Sequence, residues 1–134
     1  SDLLQGYYGG VRVFNYFINT VKEDLAKGNL TATEDVNNYL GEGYFFRALC
    51  YYCMMAMYGD LPIIREVLQD NNDVIVENSK RSPRNEVARF ILQDLDSAAM
   101  LCYPRSHFNG QRVNREAALL IKSRIALFYV RRNL

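Results

Sequence analysis

No tryptophan occurs among the 134 residues, histidine appears once, and three cysteines leave an odd one over. Each scarcity excludes something. An odd count rules out a disulfide framework that pairs every thiol. With His107 the only histidine, any Ser/His or Cys/His catalysis has to run through it, yet no carboxylate stands near it in the loop Tyr103 to Arg112. A surface-loop histidine is the simpler reading. Long apolar runs are missing too: the longest, Ala48 to Tyr58, has eleven residues, against the ~20 that a membrane-spanning helix requires. Charge of one sign is also lacking, since the formal net charge is +1. That argues against a dedicated nucleic-acid or anionic-membrane surface. The local cluster Lys80, Arg81 and Arg84 reads as a solvated loop and helix start.

No motif in the chain carries catalytic chemistry. Gly6, Gly9 and Gly10 fit neither nucleotide-binding spacing. Asp94 and Asp96, two positions apart on a helix, point about 200° from each other and form no catalytic pair. Cys50 and Cys53 have C-x-x-C spacing, but Cys102 and His107 are the only further zinc ligands of that kind. The pair also lies deep in an apolar helix, not at a helix N-terminus where the dipole would lower a thiol pKa. These cysteines read as small core residues. Neither a metal nor a cofactor is expected.

What is present is hydrophobic content of 49%, ample for a core, arranged with helical period. Leu4, Tyr7, Tyr8, Val11, Phe14, Ile18, Val21 and Leu25 recur at spacings of three and four, with Gly28-Asn29 as the stop. A second helix is expected from about Thr31 or Thr33 to Tyr58, with Thr31 and Glu34 at capping-box spacing and Gly59 as terminator. Between Val36 and Tyr58 only Glu42 and Arg47 are charged. A helix this apolar must be enclosed by others on most sides. Glu42 and Arg47, five residues apart, diverge by about 140° and cannot pair with each other. If buried, each needs a partner on a neighbouring element.

Ser82 as cap and Pro83 in the first turn open a third helix through Leu101, with Pro104 beyond its end. Asn114 caps a fourth, reaching about Val130. Asp60 to Arg81 shows no helical pattern, although Asp73 to Val76 is compatible with a short extended piece. The expectation is therefore all-α: two stacked, tetratricopeptide-like hairpins, 3–58 and 82–132, flanking a long loop at 59–81, forming one helical segment of a larger domain. Aromatics in loops or near helix starts, namely Tyr103, Phe108, Tyr7 and Tyr8, are the candidates for stacking on a sugar ring or peptide side chain.

Four stretches carry a family resemblance. Gly41-Glu42-Gly43-Tyr44-Phe45-Phe46-Arg47-Ala48-Leu49, followed by Tyr58-Gly59-Asp60-Leu61-Pro62, resembles the E-A-R-F-L-R-A helix and Y-G-D/G-x-P ending of the SusD/RagB family. Tyr8 to Asn15 is similar to its Y-x-x-I-x-x-x-N helix. Ser82-Pro83-Arg84-Asn85-Glu86-Val87 with Ile91, Asp94-Leu95 and Ala98 is similar to its S-P-R-x-E-V helix. Asn114 with Ala117-Ala118 and Leu120 resembles its N-x-x-A-A-x-x-L helix. The matches come in family order; Gly43 replaces the usual Ala and Phe46 the usual Leu.

The resemblance implies a non-catalytic, surface-exposed lipoprotein of the outer membrane in Bacteroidetes-type bacteria. Such proteins are several times longer than this chain and are anchored through an N-terminal lipidated cysteine, absent here. They bind oligosaccharides, or in some members peptides, and hand them to a TonB-dependent, SusC-like transporter. In the family the hairpins mainly form scaffold and face the transporter, while sugar contacts come from variable loops. On that reading Asn15, Glu42, Arg47, Tyr58, Gly59, Asp60, Pro62, Ser82, Pro83 and Asp94 are structural signature residues. The alternative is a tetratricopeptide-like adaptor that grips a peptide without binding glycans; an enzyme acting through His107 is a distant third.

Overall fold

The computed structural model describes residues 2–66 and 79–133, with side chains to 128 in the last helix. The expected extended piece at Asp73 to Val76 lies outside the described residues. Four helices follow one another: α1 (Asp2–Ala26), α2 (Glu34–Tyr58), α3 (Arg84–Leu101) and α4 (Arg115–Asn133), with a 3-10 turn at Arg105–Phe108. No strand forms among the described residues, only an isolated antiparallel bridge between Leu61 and Ser82. Helix α2 packs on α1 and on α3, and α3 packs in turn on α4. The chain is all-α, built as stacked helical hairpins.

The apolar periodicity explains the order of packing. Helix α1 buries Tyr8, Val11, Asn15 and Ile18, a single stripe at spacings of three and four. Helix α3 buries Val87, Ala88, Phe90, Ile91, Asp94, Leu95 and Ala98. Between them α2 buries residues on two faces. Its glycines let the neighbours approach. A Cβ on Gly41 would lie 2.7 Å from Cys102 Sγ and 3.1 Å from the Cys102 backbone nitrogen, and one on Gly43 2.8 Å from the Phe17 ring. Two positions apart, these glycines face opposite ways, one toward the end of α3 and the other toward α1.

Helix α2 is unbroken, with Met54 and Met55 buried, but it is not enclosed on most sides. Tyr39, Phe46, Tyr52, Met57 and Tyr58 are exposed. Among the described helices α1 and α3 make the main contacts with α2, and part of its surface is open.

The helix ends differ from expectation at two points. Thr33, not Thr31, caps α2, its hydroxyl accepting from Val36 N–H at 3.2 Å. Helical geometry begins at Glu34, so Thr33 is the residue whose oxygen can reach the N–H of the third helical residue, Val36. At α3 the Ser82 side chain makes no cap, and Pro83 occupies the boundary position. Ser82 uses its N–H and carbonyl to pair with Leu61 (2.8 and 3.1 Å), while Asp60 Oδ1 accepts from Arg84 N–H at 2.8 Å. A carboxylate from across the loop thus replaces the local hydroxyl. Asn114 caps α4 as its spacing predicts, Oδ1 accepting from Ala117 N–H at 2.9 Å. Gly28 and Gly59, at φ +77° and +75°, turn the chain out of α1 and α2.

Two glycine substitutions should move stability in opposite directions. Gly41→Ala, with backbone in the way, should cost about 1–3 kcal/mol. Gly9→Ala, where nothing lies within 4 Å, should stabilise α1 by about 0.5–1 kcal/mol. Urea unfolding of both variants checks the pair.

Candidate functional site

A buried polar knot joins all three inner helices. The Arg47 guanidinium on α2 donates to Asp94 on α3 through Nε at 2.7 Å and Nη2 at 2.8 Å, a bidentate pair, and through Nη1 to Asn15 Oδ1 on α1 at 2.9 Å. Asn15 Nδ2 passes the connection on to the Ile64 carbonyl at 2.7 Å. The guanidinium carbon lies 4.9 Å from the Phe90 ring centroid and 5.4 Å from that of Tyr44, adding cation–π contact where water is excluded. Burial raises the Asp94 carboxyl above its ordinary range, and the Arg47 hydrogen bonds and charge offset only part of that rise.

The chain leaving α2 is strapped across these helices. Tyr8 donates from its hydroxyl to the Pro62 carbonyl at 2.6 Å, Ile64 N–H donates to the Tyr51 hydroxyl at 2.8 Å, and Asn19 Nδ2 donates to the Arg65 carbonyl at 3.2 Å. An irregular segment lacks helical partners for its backbone groups, and here side chains supply them. Tyr51 also meets Tyr8 and Phe90 edge-on, with ring centroids 6.2 and 5.1 Å apart. Burial pushes the Tyr8 and Tyr51 phenols far up, so both stay protonated as donors.

The signature residues therefore divide by place. Asn15, Arg47 and Asp94 form the knot; Gly59, Asp60, Pro62 and Ser82 position the strap; Pro83 opens α3, and Tyr58 is the exposed last residue of α2. Glu42 stands apart. It pairs with Arg112 of the α3–α4 loop, Arg112 Nε donating to Glu42 Oε2 at 3.0 Å and Nη2 to Oε1. Nothing in the sequence singled out Arg112, because a cation seventy positions away has no periodic relation to Glu42.

Around that pair lies an aromatic cluster. Tyr103 and His107 stack nearly parallel, ring centroids 3.7 Å apart, and Phe108 meets both edge-on. Arg112 lies over the Tyr39 and Phe108 rings at 5.2 and 5.1 Å. Tyr103 is held at both ends: its N–H donates to Asn38 Oδ1 at 2.9 Å and its hydroxyl to Asp35 Oδ1 at 2.7 Å. The Asp35 hydrogen bond holds its phenol up at about 12. Beside the stack opens a cleft of about 450 Å³, lined among others by Glu34, Asn37, Met100, Ser106 and Arg115.

Tyr103 and Phe108, two of the sequence candidates, come together here. Tyr7 does not. It lies half-buried beside Cys53, whose proximity raises its phenol pKa. Cys53 is fourteen residues beyond Tyr39 on α2, about 20 Å along the helix. Tyr8 is buried in the core and can stack on no ligand. His107, read as a lone loop residue, joins the cluster because Pro104 starts the 3-10 turn that carries it back under Tyr103. The cysteines divide likewise: Cys102 is buried and Cys50 half-buried, but Cys53 is exposed, contrary to its reading as core. Burial pushes the Cys50 and Cys102 thiols up to about 11, away from the thiolate form that redox or metal chemistry uses.

Stacked helical hairpins locked by a buried Arg–Asp–Asn knot define the class: a tetratricopeptide-like helical scaffold. Residues 2–127 match a SusD-like family described as starch-binding and associating with the outer membrane. The chain belongs to that family. A SusD-like protein from Bacteroides fragilis superposes with a TM-score of 0.77 at 30% identity, covering 95% of this chain and 23% of its own. Surface glycan-binding protein A from Bacteroides fluxus superposes at 0.69 and 23% identity, covering 91% and 24% of the two chains. SusD-like protein P2 of Formosa agariphila is 29% identical over 83 residues, 60% of this chain and 16% of that protein. The chain thus spans a quarter or less of the length of these relatives.

Removing one member of the knot should be costly. Arg47→Ala leaves Asp94 buried without its cation and should lower stability by roughly 3–5 kcal/mol. Glu42→Gln, in the outer pair whose Arg112 side chain is 40% exposed, should cost about 1 kcal/mol or less. Comparing denaturant midpoints of the two variants tests that ranking.

Proposed function

We propose that this chain is the helical scaffold region of a SusD-type surface protein that captures oligosaccharides and passes them to a TonB-dependent, SusC-like outer-membrane transporter. The carrying observation is the family match from residue 2 to 127, which includes every member of the knot. The family description supports glycan binding, as do the names of relatives: one from Bacteroides fluxus is a surface glycan-binding protein, and a second Bacteroides fragilis neighbour is a SusD-like carbohydrate-binding protein. On this reading hairpin 3–58, loop 59–81 and hairpin 82–132 form one segment of a larger SusD-like domain. The whole protein is an outer-membrane lipoprotein exposed at the cell surface, anchored through a lipidated cysteine outside these residues. It acts by binding and releases its ligand unchanged.

The arrangement suits such a role. A ligand site works when rigid elements hold its groups in place, and here two charged clusters and a strap tie three helices and two loops. The signature residues Asn15, Arg47, Asp60, Pro62, Ser82 and Asp94 then serve shape, while sugar contact falls to loop aromatics such as Tyr103 and Phe108.

Titration calorimetry of the full-length protein against a panel of oligosaccharides, malto-oligosaccharides first, should show saturable binding with no change in the sugar. Binding of peptides in place of every glycan would favour the adaptor reading instead. Co-purification of a TonB-dependent transporter from solubilised outer membranes checks the partner.

A further inference from the structure

Nothing in the helical packing requires a flat aromatic wall beside an open polar cleft, yet the α3–α4 loop builds one. Its rings are pre-positioned. The Asp35 and Asn38 contacts fix Tyr103, and the 3-10 turn carrying His107 is held by Glu116, whose carboxylate accepts from Arg105 N–H at 2.6 Å. That hydrogen bond also keeps the Glu116 carboxyl low. His107 is exposed and gives only one ring face to Tyr103, so its other face is available. Flat faces of this kind accept the C–H face of a sugar ring, and a wall already held in place loses little entropy on binding.

The rest of the cleft supplies what a pyranose needs. Glu34 offers acceptors, Asn37 both donors and acceptors, and Arg115 donors. Arg115 already donates to the Ala99 carbonyl through Nε at 3.3 Å, which orients its guanidinium while leaving N–H groups to spare. One carboxylate and one guanidinium balance, so the lining favours no net charge in the ligand. At about 450 Å³ the cleft falls within the ~300–1,000 Å³ of small-molecule sites. The geometry points to a sugar subsite at the α3–α4 loop, with His107 backed by Tyr103 as the stacking platform, taking one pyranose ring of a neutral oligosaccharide. This subsite rests on the glycan-binding reading above and adds His107, Glu34, Asn37 and Arg115 to it.

The test uses the full-length protein, with malto-oligosaccharides and other neutral oligosaccharides as probes in calorimetry. His107→Ala removes the platform, and Met100→Arg fills the cleft from a side chain that is 82% exposed and therefore tolerant of change. Each should weaken binding about five- to tenfold or more, with unaltered thermal unfolding. Binding by the parent protein that both variants retain at full strength would overturn the subsite and leave the glycan-binding reading standing. No binding of any oligosaccharide by the parent protein would overturn both.

Discussion

The structure depends on one guanidinium. Arg47 sits at the centre of α2, out of water, and each of its three guanidinium nitrogens donates to a partner, without which the buried charge would be costly. Asp94 answers from α3 and Asn15 from α1, so three helices have to arrive in one relative register for the charge to be buried at all. Apolar side chains could fill the same space in several ways. A bidentate carboxylate with a third acceptor cannot, and it selects one arrangement of the hairpins.

That selection extends into the loops. Asn15 has two ends, one spent on Arg47 and the other on the Ile64 carbonyl, so the register of the helices is transmitted to the strap. Tyr8 and Tyr51 continue the pattern, each using an aromatic body as core and a hydroxyl as loop anchor. Five residues before Arg47 on α2, Glu42 holds the α3–α4 loop through Arg112. The two charges beyond the first turn of α2 thus tie down different regions, Arg47 the interior and Glu42 the loop that carries Tyr103, His107 and Phe108.

For a SusD-like protein this division has a functional sense. The interior is committed to shape, with Asn15, Arg47 and Asp94 bonded to one another. The segment after α2 contributes Leu61 to that core, whereas His107 in the α3–α4 loop stays exposed on an anchored backbone. Helix α2 keeps an open apolar arc containing Phe46, stacked on Phe14 at 5.7 Å, in a chain that covers 23% of its solved Bacteroides fragilis relative.

Helix number, limits and core stripes were legible along the chain, because period and capping are local properties. Asn114, Gly28 and Gly59 acted where their spacing placed them, and the inability of Glu42 and Arg47 to pair with each other followed from helical rotation alone. Partners were another matter. That Arg47 meets Asp94, Glu42 meets Arg112, and Asp60 displaces Ser82 as the cap of α3 are facts about elements tens of residues apart, and periodicity carries no such information. The same limit misplaced Tyr8 and Cys53 and passed over His107: exposure is settled by which helix lies alongside, and a stacked pair forms only when a turn brings two rings to the same depth.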